Sequence, residues 1–478
     1  MAEGLTGPGD FILDECVLIT TSGRSFDLTK TDGLSVIGIT LYEGIGSTTV
    51  SGELVISDAI NLASTGPIVG HEYLYLKIRT PSIVGISDES IINFSENAFI
   101  VNSLTTREPV GNIQIVALHF VSQELVRNQR LRVHQSFAAS WSDIVIQTMT
   151  NYINTKKNMT VEPSSGIKKF VAPSIRPLDL IVLATKQAIA KFKSEPTYIF
   201  YESLKGFNFR TLASLYNQTP FLEYTEQPAG HNAPGSTEYD LVKDLQNILS
   251  YQIVTSNETL INYRTGMLGS KLITHDIINK SYQNAYYNYH DNFSNESHIV
   301  GGGAKGKIEH PLTSEFYVTP GWRTSDFPSR FFVYPITSSG GVDAQHVTEN
   351  NTSPYIAQDP HRWLQRRTSQ MTQLENGLQI NITVHGNTII SAGDIVKVDL
   401  PQHSSLDIQG GPRAVDRFYQ GPFLVKKIRH DFTFNTNPPK HQMFMNLVKD
   451  SFENELDAPI DNTEPESTGA AKEVVNYY

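Results

Sequence analysis

Within the first 125 residues, short apolar or alternating runs recur at near-regular spacing, with no strong helix between them. Phe11 to Thr20, Ser35 to Leu41, Thr49 to Ile56, Tyr73 to Arg79, Ala98 to Thr105 and Ile113 to Val121 are such runs, separated by clusters of Gly, Asp, Asn and Ser. Side chains alternate between the two faces of a strand, so Gly52 to Asp58 places Leu54 and Ile56 on one face. Six such strands in succession predict an antiparallel barrel or sandwich. The 23 Phe and 21 Tyr, with many Val, Ile and Thr, favour strands in the same way.

The pattern changes near Leu131. Ser140-Trp141-Ser142-Asp143 has the form of a capping box, in which the serine caps the first turn and the acid reaches back. Ile144, Val145, Thr148, Met149 and Tyr152 then recur at helical spacing. A second helix starts at Pro177, with Leu180, Ile181, Ala184, Ala188 and Ile189 as its apolar stripe. Thr197 to Ser203 returns to strand, Phe207 to Phe209 is a candidate partner, and Thr211 to Asn217 is a short helix or turn.

Beyond this, Pro, Gly and Asn crowd residues 227–237, which predicts an exposed loop. Strands and turns alternate from Leu241 to Thr274, a tyrosine cluster follows at Tyr282, Tyr286, Tyr287 and Tyr289, and residues 337–351 are again loop-like. A helix over Arg362 to Glu375, with Trp363, Leu364, Met371 and Leu374 as candidate buried positions, precedes four strands. These span Leu378 to Val384, Asp394 to Leu400, Gly421 to Phe434 and Gln442 to Val448. The last residues are acidic and polar, which predicts a mobile tail, and Val474-Val475-Asn476-Tyr477-Tyr478 would suit a docking peptide.

Composition narrows the function. Acidic residues number 49 against 38 basic ones, a net charge of −11, which argues against nucleic acid as the main ligand. The single cysteine, Cys16, excludes an intramolecular disulfide and a Cys-rich zinc site, and reads as a small buried strand residue. No 18-residue apolar run and no basic-then-apolar leader is present, so the expectation is a protein without a membrane anchor that is kept in a cytoplasm or is released without the ordinary secretion route. The sequons at Asn93 and Asn292 are then chance occurrences.

Catalytic chemistry finds no foothold. His275-Asp276, His290-Asp291 and His430-Asp431 are neighbours in sequence, and neighbours in a strand point apart. Gly301 to Lys307 has the composition of a phosphate loop but lacks the Gly-Lys-Ser/Thr ending. The tyrosine cluster would stack on sugar rings or, as the more ordinary reading, pack against a neighbouring subunit. No carboxylate spacing marks a glycosidase pair, and no cofactor or metal is expected.

The C-terminal block is more specific. Gly386, then Ser391-Ala392-Gly393-Asp394-Ile395-Val396-Lys397-Val398, then Gly421-Pro422-Phe423-Leu424-Val425 running on to His430, then His441 to Ser451, follow in order. In the N-terminal block Glu43, Ser51 to Leu62 and Ile68-Val69-Gly70-His71-Glu72 form a second set. Ser136 to Met149 and Arg176-Pro177-Leu178-Asp179 lie between. The whole resembles the baseplate hub family of contractile-tailed, T4-like bacteriophages, related to the N-terminal part of type VI secretion spike proteins. The similarity covers roughly residues 10–455, and residues 227–351 depart most from it.

The resemblance implies a mainly β (α+β) fold, with two tail-tube-like antiparallel β-barrel domains and an inserted α/β domain. The implied division is 1–125 for the first barrel, 126–205 for the α/β domain and 206–240 for the start of the second barrel. Residues 241–365 are then an insertion with long loops, 366–455 complete the second barrel, and 456–478 form an acidic tail. Gly52, Asp58, Gly70, Gly393, Asp394, Gly421 and His430 are the implied structural signature, with His430 bonding a loop backbone. The implied role is structural: a homotrimeric, pseudo-sixfold ring in the virion, assembled in the host cytoplasm. It would join the hexameric tail tube to the trimeric central spike and contact wedge proteins and a tape-measure protein. DNA would pass through its channel without specific binding, kept off the wall by the acidic balance. The alternatives are a tail-associated polysaccharide or cell-wall hydrolase and a receptor-binding tail component.

Overall fold

The computed structural model describes residues 7–81, 90–226, 241–255, 258–276, 280–300, 323–336, 360–401, 416 and 419–452. The first unit comprises β1 (Ile12–Ile19), β2 (Ser25–Asp27), β3 (Leu34–Gly44), β4 (Ser51–Asp58), β5 (Tyr73–Thr80), β6 (Ser90–Asn93), β7 (Phe99–Val110) and β8 (Ile113–Ser122). The expected alternation holds: Leu54 and Ile56 of β4 are buried in one core with Leu118 and Phe120 of β8 and Leu74, Leu76 and Ile78 of β5. Cys16 lies in the same core, and burial pushes its thiol up to about 12, so it stays an unreactive small hydrophobe. Gly52 has a steric reason, because a Cβ there would stand 2.3 Å from the Phe120 ring and 2.5 Å from the Thr40 carbonyl oxygen.

An α/β unit follows. It contains the helix Gln123–Arg130, β9 (Ser136–Ala139), the helix Trp141–Gln147 with a π-helical turn to Ile153, and β10 (Met159–Val161). After these come β11 (Lys168–Val171), the helix Pro177–Gln187, β12 (Tyr198–Ser203), β13 (Gly206–Thr211) and the helix Leu212–Tyr216. Ser140 caps the first long helix by accepting from the Asp143 N–H at 3.1 Å. The Asp143 carboxylate reaches back to the Ser140 hydroxyl, at 2.6 Å, where a capping box would have it on the backbone. Trp141, Ile144, Met149, Leu180, Ile181 and Ala184 meet Tyr198 and Phe209 in this unit's core.

The remainder supplies β14 (Glu223–Thr225), β15 (Ile248–Thr255), a separate sheet of β16 (Gly269–Asp276), β17 (Ser281–Asn288) and β18 (Arg330–Ile336), and the helix Leu364–Asn376. β19 (Leu378–His385), β20 (Ile395–Asp399), β21 (Gly421–Thr433) and β22 (Lys440–Lys449) complete it. The helix departs from expectation. Leu374 is buried, but Trp363, Leu364 and Met371 are half-exposed, and the rest of the buried face is Gln365, Ser369, Gln370, Thr372 and Gln373. Hydrogen bonds explain this: Gln365 donates to the Ser270 carbonyl at 3.0 Å, Ser369 to Met267 at 2.8 Å, and Gln373 to Asp450 at 2.9 Å. A buried amide that finds such partners is no longer a cost.

The chain is mainly β, and one antiparallel-dominated sheet of fourteen strands runs through both β units. Its order is β15-β19-β22-β21-β3-β4-β8-β7-β5-β1-β2, with β6 beside β5 and β14 reaching β21 through β20. Among the described residues the paired strands do not complete a ring, although Thr225 of β14 bridges Asn247, the residue before β15. The order contains a repeat. In β3-β4-β8-β7 and in β15-β19-β22-β21, all neighbours are antiparallel, and the last hairpin is inserted with its second strand inside (β8, β22) and its first outside (β7, β21). The two quartets join head to tail: β21, last of one, pairs with β3, first of the other, from Lys427 opposite Gly44 to Thr433 opposite Gly38.

Candidate assembly site at the joint of the two β units

Ile39, Leu41 and Glu43 of β3 fall in the same core-facing register, so the strand carries an acid into the joint. The buried Glu43 carboxylate accepts from three segments: the Leu204 N–H at 2.9 Å, the Ala392 N–H at 3.1 Å and His430 Nε2 at 3.3 Å. These belong to the turn after β12, the turn before β20, and β21. With Nε2 donating to Glu43, His430 Nδ1 accepts from His441 Nε2 at 3.2 Å. His441 Nδ1 is then a bare acceptor, and it has no partner. Gly386 makes room for this ring, since a Cβ there would lie 2.1 Å from it. His430 thus bonds a carboxylate and a second histidine, not the loop backbone that was expected of it.

Burial, and secondarily the neighbouring His430, hold the His441 imidazole well below its ordinary range, and burial also lowers His385. A depressed histidine favours the fold while neutral. Its stabilisation is therefore full above the unfolded value, near 6.5, and is lost as the pH falls below that value towards the folded one. The joint should weaken as the pH falls below about 6.5. His441→Gln should flatten that limb of the stability-versus-pH curve, measured by urea unfolding at fixed temperature. An unchanged limb in the variant would assign the acid sensitivity elsewhere.

A second lock ties the first unit to the α/β unit. Lys157 Nζ lies 2.8 Å from Glu124 and 2.6 Å from Glu202, and both carboxylates are fully buried. Glu202 also accepts from the Val50 N–H at 2.8 Å and the Ser122 hydroxyl at 2.6 Å. Burial raises the Glu202 carboxyl above its ordinary range, with Lys157 pulling the other way. For Lys157, burial works against the charge, and the Glu202 and Glu124 carboxylates outweigh it.

The structure brings together some of the signature residues. Gly393 and Asp394 follow Ala392, whose N–H bonds Glu43 beside His430, and they themselves exchange backbone bonds with Val425 of β21. Gly393 has φ +92°, and Asp394 accepts from the Ser391 N–H at 2.9 Å and pairs with Lys205 at 2.7 Å. The others answer local demands elsewhere. Asp58 accepts from the Ile60 and Leu62 N–H groups at 3.0 and 2.7 Å, and the Gly70 turn closes on the Glu72 carboxylate. Gly421 opens β21 opposite Val398.

The non-core face of the sheet is open across the joint. Asn381 and Thr383 of β19, Gln442, Phe444 and Asn446 of β22, Lys427, Arg429 and Asp431 of β21, Thr40 and Tyr42 of β3, and Ser51 and Glu53 of β4 share it. An open groove of about 780 Å³ lies along it. Arg429 pairs with Asp431 at 2.7 Å and stacks 4.0 Å over Phe444. The face is mixed in charge, so the chain's acidic balance is not expressed here.

The other candidates stay apart. His275 is exposed while Asp276 is buried, His290 lies 2.8 Å from the Ser325 hydroxyl, and Asp291 pairs with Arg323. Tyr282 and Tyr286 are exposed on β17, whereas Tyr287 and Tyr289 are buried. Among the described residues no group of three acids, histidines or cysteines could hold a metal, and no helix is long and apolar enough to cross a membrane. Gly301 to Lys307, residues 227–237 and 337–351, and the C-terminal peptide lie outside the described residues. Glu124, Lys157, Glu202 and His441 were missed as site residues; one usable signal was Glu43 itself, an acid in a strand's buried register.

No family model matches the chain, and no curated protein matches it. Solved structures do. The tail protein from Neisseria meningitidis MC58 is 10% identical over 91% of this chain and 96% of its own, with a TM-score of 0.48. The 43 kDa tail protein of prophage MuSo2 from Shewanella oneidensis is 10% identical over 91% and 98%, with a TM-score of 0.46. The prophage tail protein gp18 from Listeria monocytogenes EGD-e is 10% identical over 91% and 94%, with a TM-score of 0.41.

Proposed function

We propose that the chain is a non-catalytic structural component of a phage tail baseplate: the hub that joins the hexameric tail tube to the trimeric central spike. The observation that carries this reading is the head-to-tail order of the two strand quartets. A joint in which the last strand of one unit takes the first strand of the next is heterologous, and repeated at a suitable angle it closes into a ring. Two quartets per chain in a three-chain ring make six, matching a sixfold tube on one side and a threefold spike on the other. The N- and C-terminal motifs that resemble the hub family support the same assignment, since Glu43 and His430 bond each other at the joint and Gly393 and Asp394 bond Val425 of β21 beside it.

In such a ring the open polar face of the sheet would line the channel. Its mixed charge would pass DNA without holding it: Lys427 and Arg429 are offset by Asp431 and Glu53. This replaces an acidic wall as the reason for non-specific passage. The tail tube protein, the central spike, wedge proteins and a tape-measure protein are the proposed partners, in a virion baseplate assembled in the host cytoplasm. The six-part division read from the sequence belongs to the same proposal.

The test is mass and symmetry, by light scattering coupled to chromatography and by electron-microscopy class averages, with and without the spike protein. A three-chain ring with a central hole is expected. A chain that stays monomeric even with the spike protein would overturn the reading.

A further inference from the structure

Between the α/β unit and the second β unit lies a polar cavity of about 190 Å³, room for several waters or one small polar group. One wall is the face of the β10-β13-β12 sheet turned away from that unit's core, where Tyr201 stands opposite Asn208, and Asn208 beside Thr160. The other wall is the turn before β20, Ser391 to Asp394. The walls are rich in donors. The Ser391 hydroxyl is buried and has no partner. Tyr201 is 2% exposed, and its hydroxyl bonds no described residue. Arg210 uses Nε and Nη2 on the Ser214 hydroxyl and carbonyl, each at 3.2 Å, and no described residue accepts from its Nη1. Lys205 gives one N–H to Asp394 at 2.7 Å, and its side chain is 55% exposed, which places it at the mouth. Two buried hydroxyls without partners are a cost to the fold until something polar fills the space beside them.

We infer that this cavity binds a carboxylate group, and that the bound group clamps the α/β unit to the second β unit. The donors select an acceptor-rich ligand: two hydroxyls, a guanidinium edge and the spare ammonium N–H groups line the space. The one acid in the wall, Asp394, is already engaged by Lys205 and the Ser391 N–H. Charge narrows the choice further. Lys205 and Arg210 against Asp394 leave one positive charge, so a single carboxylate neutralises the site and a phosphate dianion exceeds it. Glu43 stands behind the turn, where two backbone N–H groups and His430 already meet its charge. Burial holds the Tyr201 phenol well above its ordinary range, against the pull of Arg210, so it is a donor at neutral pH. Gly393 is needed for more than its positive φ, because a side chain there would strike the Tyr201 hydroxyl. The carboxylate belongs to a small molecule or to a polypeptide and enters past Lys205. The clamp works within one chain and does not depend on ring formation.

The full chain is titrated with acetate at pH 7 and constant ionic strength, and the thermal unfolding midpoint is followed. A saturable rise of about 1–2 °C is expected for the wild type. Y201F should unfold at the wild-type midpoint without acetate, because the hydroxyl it removes bonds nothing in the described chain, and it should lose most of the rise. R210Q should weaken the apparent affinity about tenfold, the usual worth of a hydrogen bond to a charged group. An N-acetylated tripeptide with a free C-terminus, set against its amide, separates the sources. Saturation by the peptide acid at lower concentration than acetate assigns the site to a polypeptide carboxylate, and saturation no tighter than acetate assigns it to small carboxylates. Inorganic phosphate that saturates below acetate, or an amide as effective as the acid, would overturn the choice of a carboxylate. No saturable rise, or an equal rise in wild type, Y201F and R210Q, would mean a cavity that holds water only and would overturn the site.

Discussion

Replacing Lys157 with methionine is expected to destabilise the protein by about 3–5 kcal/mol, the usual cost of removing one partner from a buried ion pair. Methionine fills a similar volume, so little of the loss would come from packing. What remains is a pair of carboxylates, Glu124 and Glu202, facing each other in a site where neither is exposed. One must then take up a proton or water must enter, and the contact between the first unit and the α/β unit loosens. The measurement is urea unfolding of wild type and variant at pH 7. The triple variant K157M/E124Q/E202Q should recover most of the loss, since amides leave no uncompensated charge. Equal losses in the single and triple variants would show that shape, not charge, holds this contact.

Glu43→Leu is expected to cost about 2–4 kcal/mol, because two backbone N–H groups and one imidazole would be buried without their acceptor. Glu43→Gln should lose less, as its amide oxygen still accepts one or two of those bonds. Limited proteolysis read alongside unfolding separates a local opening from a global one. The expected first cuts are in the turns around Leu204 and Ala392, whose N–H groups Glu43 holds. Cuts elsewhere, with those turns still protected, would move the lock away from Glu43.

Features that depend on near neighbours in sequence could be read without the structure. The alternation around Leu54 and Ile56, the cap at Ser140 and the helix start at Pro177 are local consequences of residue type. The buried place of Cys16 follows from the same alternation. The order of strands could not be read in this way. β3 meets β21 across almost the whole chain, and nothing in either strand names its partner.

Polar burial was hidden for a related reason. Lys157 sits between Lys156 and Asn158 and looks like any solvated lysine, because its two carboxylates come from distant elements. Gln365, Ser369 and Gln373 look like the wet face of a helix, yet they are its buried face, each bonded to a strand or turn laid over it. His430 was singled out, but its partner is a carboxylate whose arrival depends on the pairing of β21 with β3.

The head-to-tail joint also has a mechanical meaning. Hydrogen bonds between antiparallel strands run perpendicular to the strands. A pull along β21 against β3 therefore loads every bond from Lys427 to Thr433 in shear, and all must yield together. A pull across the strands opens the same joint like a zipper, one bond after another. Glu43 sits opposite Ile428, at the end where Lys427 faces Gly44, so a zipper started there meets its strongest tooth first.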